Sequence, residues 1–291
     1  MNLLCKSSID ESQLNARENL IHNGIELQLL ADFSELSNMA IVNSLGKNLK
    51  QIKAVHAPLK LNAKEQDVCL DLAYIADEDY VLLNKTCDLA NRIGCKSGKI
   101  IPIIIHASAD ISKDKITEIA VVLSLTLDKY SHIEILVENV PGDNDKPLEI
   151  GSAYALPVII KFLKNYISND RLGLVLDTCH LLMRQRIYKE LGFKYDSIED
   201  YFKAYSDNLR IIHLANIRNF GRDNDHAVAF TKDDRALLAE IMHMLIKYTD
   251  DNILVTIETR EQDYLECTNY KTTRKEIDLY MNTNLKKLAI W

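Results

Sequence analysis

The chain has 291 residues, of which 47% are hydrophobic and 26% charged, with a formal net charge of −7. Such a composition suits a globular protein, gives no overall attraction to nucleic acid or anionic membrane, and offers no run of about 18 apolar residues to cross a bilayer. The six cysteines form no CxxC pair, which removes zinc-knuckle and dithiol-redox classes, and the opening MNLLCKSSIDESQLNARENL turns polar too soon for a signal peptide, so a cytoplasmic protein with free thiols is expected.

Short apolar or β-branched runs then alternate with longer amphipathic stretches, the rhythm of βα units around a parallel sheet. NLLCKS, near Asn2, is the first strand-like run, followed by the helical pattern ESQLNARENLIHN. GIELQLL starts at Gly24 and carries Glu26 and Gln28, which would line a substrate pocket if they face inward. After the helical SELSNMAIVNSLGKNL comes IKAVHA from Ile52, ending at His56, and then a helical region over 64–93. KIIPIIIHA from Lys99 ends at His106 and precedes SKDKITEIAVVLSLTLDKY. IEILVEN from Ile133 ends at Glu138, and LGLVLDT from Leu172 runs into Asp177 and His180. RIIHLAN from Arg210 ends near His213, and the loop NIRNFGRDNDHA adds Arg218, Arg222, Asp223, Asp225 and His226. ILVTIET from Ile253 ends at Glu258, and RKEIDLYMNTNLKKLAIW reads as a closing amphipathic helix.

Eight such units with no break in composition predict one domain over 1–291, an α/β fold: a single (β/α)8 TIM barrel with a parallel eight-stranded core. A doubly wound sheet would want a Gly-rich phosphate loop, and neither GxGxxG nor GxxxxGK[ST] is present. In a (β/α)8 barrel the active site lies at the C-terminal strand ends. Five of the eight histidines (His56, His106, His180, His213, His226) sit at or just past such an end, interleaved with Glu138, Asp177 and Glu258. Mixed imidazole and carboxylate sets suit zinc, manganese, cobalt or iron, whereas magnesium prefers oxygen alone. A divalent cation would also relieve the repulsion among clustered carboxylates. Asp177 and His180, three apart at a strand exit, can turn into one mouth, with Cys179 between them a bystander.

The motifs GIELQL, VHAPLKLN, LVENVPG, LVLDTCH, IIHLAN and IET, in this order over nearly the whole chain, resemble the xylose isomerase-like TIM-barrel superfamily. That superfamily contains sugar and sugar-phosphate isomerases and epimerases, and also endonuclease IV, the apurinic-site nuclease. Resemblance to the isomerases implies one divalent metal on Glu138, Asp177, His213 and Glu258. It further implies that the two glutamates move protons, that His180 touches substrate, and that Arg218 or Arg222 binds sugar oxygens or phosphate. Resemblance to endonuclease IV implies three zinc ions on His56, His106, Glu138, Asp177, His180, His213, Glu258 and an Asp-x-His pair ending at His226. That pair departs from the pattern, because Asn224 stands two before His226 and leaves Asp223 or Asp225 to substitute. Strand four also reads HASAD where the relatives commonly show His-Pro-Gly. Members often form homo-oligomers, so one is expected here without a fixed stoichiometry.

Two glutamates on opposite strands suit acid–base transfer at neighbouring carbons of a small sugar-like substrate. The extra His56 and His106 suit the nuclease. A nuclease also needs Lys/Arg-rich rims, however, and the loops LADFSELSN and NVPGDNDKPLE are acidic, with NIRNFGR the basic exception. The sequence alone therefore favours a metal-dependent sugar or sugar-phosphate isomerase/epimerase, with Glu138, Glu258 and His180 as its catalytic residues. DNA is a partner only under the nuclease alternative, and a barrel that binds without catalysing is a third reading.

Overall fold

The computed structural model describes residues 1–20, 23–30, 33, 35–58, 70–77, 79–107, 111, 113–140, 153–167, 169–218 and 226–288. Eight parallel strands close into a barrel in chain order, the first pairing with the last. They are β1 (Asn2–Ser8), β2 (Gly24–Gln28), β3 (Ile52–His56), β4 (Ile101–His106), β5 (Ile133–Glu138), β6 (Leu172–Asp177), β7 (Leu209–Leu214) and β8 (Leu254–Ile257). Around them, among the described residues, run α1 (Glu11–Glu18), α2 (Asn38–Leu45), α3 (Tyr80–Ser97), α4 (Lys113–Lys129) and α5 (Ala155–Lys164). The ring continues with α6 (Thr178–Glu190), α7 (Ile198–Tyr205), α8 (Arg235–Tyr248) and α9 (Thr268–Leu288). No helix among the described residues is long and apolar enough to cross a membrane.

Among the described residues of the region expected to be helical over 64–93, the α-helix runs from Tyr80 onward. Asp71 forms an isolated parallel bridge with His106, and its carboxylate accepts a 2.9 Å hydrogen bond from Ala73 N, starting a single 3-10 turn over Leu72–Tyr74. Held against the end of β4, this segment cannot join the helix that follows. Residues 59–69 lie outside the described residues. At the other end of α3 the helix crosses His132 so closely that a Cβ on Gly94 would lie 2.6 Å from His132 Cβ and 2.7 Å from Lys99 O. Only glycine permits that approach.

Side chains alternate across a strand, so residues two apart share a face. Ala54, Ile104, Leu136, Val175 and Ile211, with Leu254 against them, form a small apolar cluster filling the barrel interior. The residues two further along are His56, His106, Glu138, Asp177, His213 and Thr256, the next layer toward the C-terminal mouth. Direct pairing of Glu26 with Ala54 and of Lys6 with Glu26 turns both charged side chains inward as well. The barrel therefore changes within one layer from aliphatic to ionisable.

Candidate metal centre

Glu138, the last residue of β5, occupies the middle of this layer and is 1% exposed. Its Oε2 lies 3.1 Å from His56 Nε2 and 3.4 Å from His106 Nε2, while Oε1 lies 3.3 Å from His213 Nδ1 and 3.4 Å from His180 Nδ1. Around it, His56, His106 and Glu138 form one group whose ligand atoms lie within 4.8 Å of one another, and Glu138, Asp177, His213 and Glu258 form a second. A third group of the same kind consists of Glu26, His56 and His213.

Hydrogen bonds on the far side of each ring decide which nitrogen is free. His56 Nδ1 is 2.9 Å from Ala57 O, and His180 Nδ1 is 2.7 Å from Asn139 O; a carbonyl only accepts, so the proton sits on Nδ1 in both. His56 therefore offers Nε2 to Glu138, and His180 offers Nε2 to His226, whose own Nε2 is 3.0 Å away. In His213 the order reverses: Nε2 donates to Glu26 Oε2 at 3.0 Å, leaving Nδ1 for the carboxylates. His213 Nδ1 and Glu258 Oε2 then stand 2.6 Å apart, both buried, and neither makes a hydrogen bond. Two buried lone pairs aimed at each other are unfavourable unless a proton or a cation lies between them. The donor set and these orphaned atoms fit a divalent metal of the zinc or manganese kind.

Local structure fixes the carboxylates. Asp177 ends β6 and caps α6, accepting from His180 N at 2.8 Å. The Asn139 amide brackets the same residue, donating to Asp177 O at 3.0 Å and accepting from Asp177 N at 2.7 Å. Lys6 Nζ lies 2.5 Å from Glu258 Oε1 and 3.4 Å from Glu26 Oε1. Cys179 is buried against Ala215 and Ala227, and its sulfur accepts from Ala227 N at 3.2 Å.

The electrostatics are those of a site built around positive charge. Burial would raise the Glu138 carboxyl, but His213 and His106 hold it well below its ordinary value. Burial also opposes a charge on His213, yet Glu26, Glu258 and Glu138 lift it well above the usual imidazole range. Asp177 is pushed up to about 6 by burial and by the neighbouring Glu138 and Glu258 carboxylates. Burial and His180 lower His226 to about 4.

Of the residues singled out in the sequence, the structure gathers His56, His106, Glu138, Asp177, His180, His213, His226 and Glu258 at one mouth. Glu26 lies in the wall behind His213. Gln28 gives its amide to Leu29 O and Ala57 O, at 2.8 and 3.3 Å, beside His56. Arg218 is exposed on the rim after β7. Asp223 and Arg222 lie outside the described residues, as do Asn224 and Asp225. Lys6 and Asn139 were not singled out, although Lys6 stands two after the buried Leu4 and thus on the inward alternation of β1.

No family model matches the chain. A "Probable endonuclease 4" of Metamycoplasma arthritidis is 28% identical, with 76% of each chain covered. Among solved structures, D-allulose 3-epimerase from Methylomonas sp. is 13% identical and covers 96% of this chain and 98% of its own, at a TM-score of 0.58. A xylose isomerase-like TIM barrel fused to a 4-hydroxyphenylpyruvate dioxygenase is 11% identical and covers 90% of this chain and 40% of its own, at a TM-score of 0.51. The fold shared with these structures is the (β/α)8 TIM barrel. In this barrel the layer of ionisable residues crowns the C-terminal strand ends, where the fold places its active sites.

The raised Asp177 carboxyl has a consequence for pH. In the metal-free chain its proton stabilises the folded state below the unfolded value of about 3.9, and that contribution is lost as pH rises through about 6. A bound cation must displace the same proton, so metal affinity should fall at least tenfold per pH unit below about 6. The rise in melting temperature on adding zinc should accordingly grow between pH 5 and 7. A zinc effect equal at both ends of that range would remove Asp177 from the ligand set.

Proposed function

We propose that this barrel is a metal-dependent phosphodiesterase of the endonuclease IV type, cleaving DNA at apurinic sites. The observation that carries the reading is the position of Glu138 between two complete ligand groups, one oxygen facing His56 and His106 and the other facing His213. A one-metal sugar isomerase or epimerase needs only the Glu138, Asp177, His213 and Glu258 group as ligands, with His180 on substrate, and does not need His56, His106 or His226. The extra histidines converge on the same layer as the carboxylates. The 28% identity to a probable endonuclease 4 supports the same choice.

His56, His106 and Glu138 would hold one cation, and Glu138, Asp177, His213 and Glu258 a second. His180 and His226 would supply two nitrogens for a third, and Asp223 or Asp225 is the carboxylate the sequence offers beside them. Bound divalent cations supply Lewis acidity, activating water and neutralising phosphodiester charge. The chain supplies the preorganisation. Ala57 O, Asn139 O and Glu26 each hold a proton on the outer nitrogen of a ring, so that the inner nitrogens of His56, His180 and His213 are the ones that would face a cation. Glu138 is anchored at the end of a buried strand.

Zinc-reconstituted protein incubated with a duplex carrying one abasic site should nick that strand, and a chelator should stop the reaction. Epimerisation of a ketose panel without nicking would overturn the reading in favour of the one-metal chemistry.

A further inference from the structure

Glu26 is completely buried, and the hydrogen bonds around it leave little freedom. Its Oε2 accepts from His213 Nε2 at 3.0 Å and from Thr256 Oγ1 at 2.6 Å, and its Oε1 lies 3.4 Å from Lys6 Nζ. Lys6 in turn lies 2.5 Å from Glu258 Oε1, and the other oxygen of Glu258 faces His213 Nδ1 at 2.6 Å. The four residues thus form a ring of contacts running through β1, β2, β7 and the end of β8. Two of its links, His213 to Glu26 and Lys6 to Glu258, are hydrogen bonds. The other two are ion-pair contacts without a hydrogen bond, leaving Glu26 Oε1, His213 Nδ1 and Glu258 Oε2 buried and unsatisfied.

We propose that Glu26 and Lys6 are positioning residues of the metal centre: Glu26 fixes the His213 proton on Nε2 so that Nδ1 is the ligand atom, and Lys6 ties Glu26 to Glu258. The inference rests on the metal-centre reading above. Glu26 could instead be read as a ligand together with His56 and His213. Against that, Glu26 Oε2 already receives two hydrogens, His213 Nε2 spends its proton there, and His56 Nε2 is turned to Glu138. Outer carboxylates that hold a ligating histidine typically tune metal affinity by about 10–100-fold.

Zinc affinity measured by chelator competition on the full chain tests the proposal, with circular dichroism checking the fold. Glu26→Ala should weaken one class of zinc sites by about 10–100-fold and leave the His56–His106 class unchanged. Glu26→Gln, whose amide oxygen still accepts from Nε2–H, should lose less. Lys6→Met should weaken the same class as Glu26→Ala, and the visible spectrum of the Co2+-loaded protein should change in both. If Glu26→Ala does not fold, Thr256→Val, which removes only the hydroxyl donor to Glu26, should show a smaller weakening of that class. Unchanged affinity in the Glu26 variants, or loss of one whole ion per chain, would overturn the positioning role of Glu26. Tighter binding in Lys6→Met would overturn that of Lys6. A wild-type chain that takes up no zinc would instead overturn the metal centre itself.

Discussion

Glu138→Gln should empty both ligand groups of zinc and lower abasic-site cleavage by about 10³-fold, which corresponds to about 4 kcal/mol of lost charge stabilisation. The fold should survive. The glutamine amide can donate a hydrogen bond to His56 Nε2 or to His213 Nδ1, the nitrogens that Glu138 now faces at 3.1 and 3.3 Å. It also removes a carboxylate that His213 and His106 hold ionised, so metal-free Glu138→Gln should melt lower than metal-free wild type at neutral pH, with relief of the Asp177 carboxyl offsetting part of the loss. Elemental analysis, melting curves and a nicking assay on one preparation separate these effects. A variant that keeps two zinc ions would show that Glu138 is not the shared ligand.

The second large effect distinguishes the two chemistries that this fold hosts. His56→Asn combined with His106→Asn should abolish abasic-site cleavage to the same degree while leaving zinc on Asp177, His213 and Glu258. These substitutions remove one side of the Glu138 bridge and keep a polar group of similar size at each site, so Glu138 does not lose all its buried partners. A one-cation sugar epimerase would lose little activity in the same double variant. Retention of nicking by the double variant would sink the phosphodiesterase reading, whatever the zinc count.

Much of this arrangement is legible in the sequence because strand alternation is rigid. Once IIIH, LVE, LVLD, IIH and IET are read as buried strands, their last polar residues must share the inward face or clash with the helices outside. Lys6 escaped because a Lys-Ser end to NLLCKS reads equally well as a solvated strand exit; the register with Glu26 places it inward. Glu26 was legible as an interior residue, but its attachment to His213 spans 187 positions, and no local pattern encodes that contact. Asn139 is hidden for the same reason, since it acts through the backbone of Asp177, 38 positions on. The helix expected over 64–93 is absent over residues 70–77, where Asp71 is bridged to β4, a contact that composition does not reveal.

The pairing of β1 with β8 has a bearing on biosynthesis. Lys6 and Glu258 stand 252 positions apart, and their strands meet only when the barrel closes. A chain still on the ribosome can display its early histidines, but it lacks β8 and the carboxylate beyond it, and holds at most a fragment of the ligand cage. The proposed centre would therefore take up its cations in full only after β8 has been made and has closed on β1, so a chain interrupted before Glu258 would be recognisable by its failure to retain zinc.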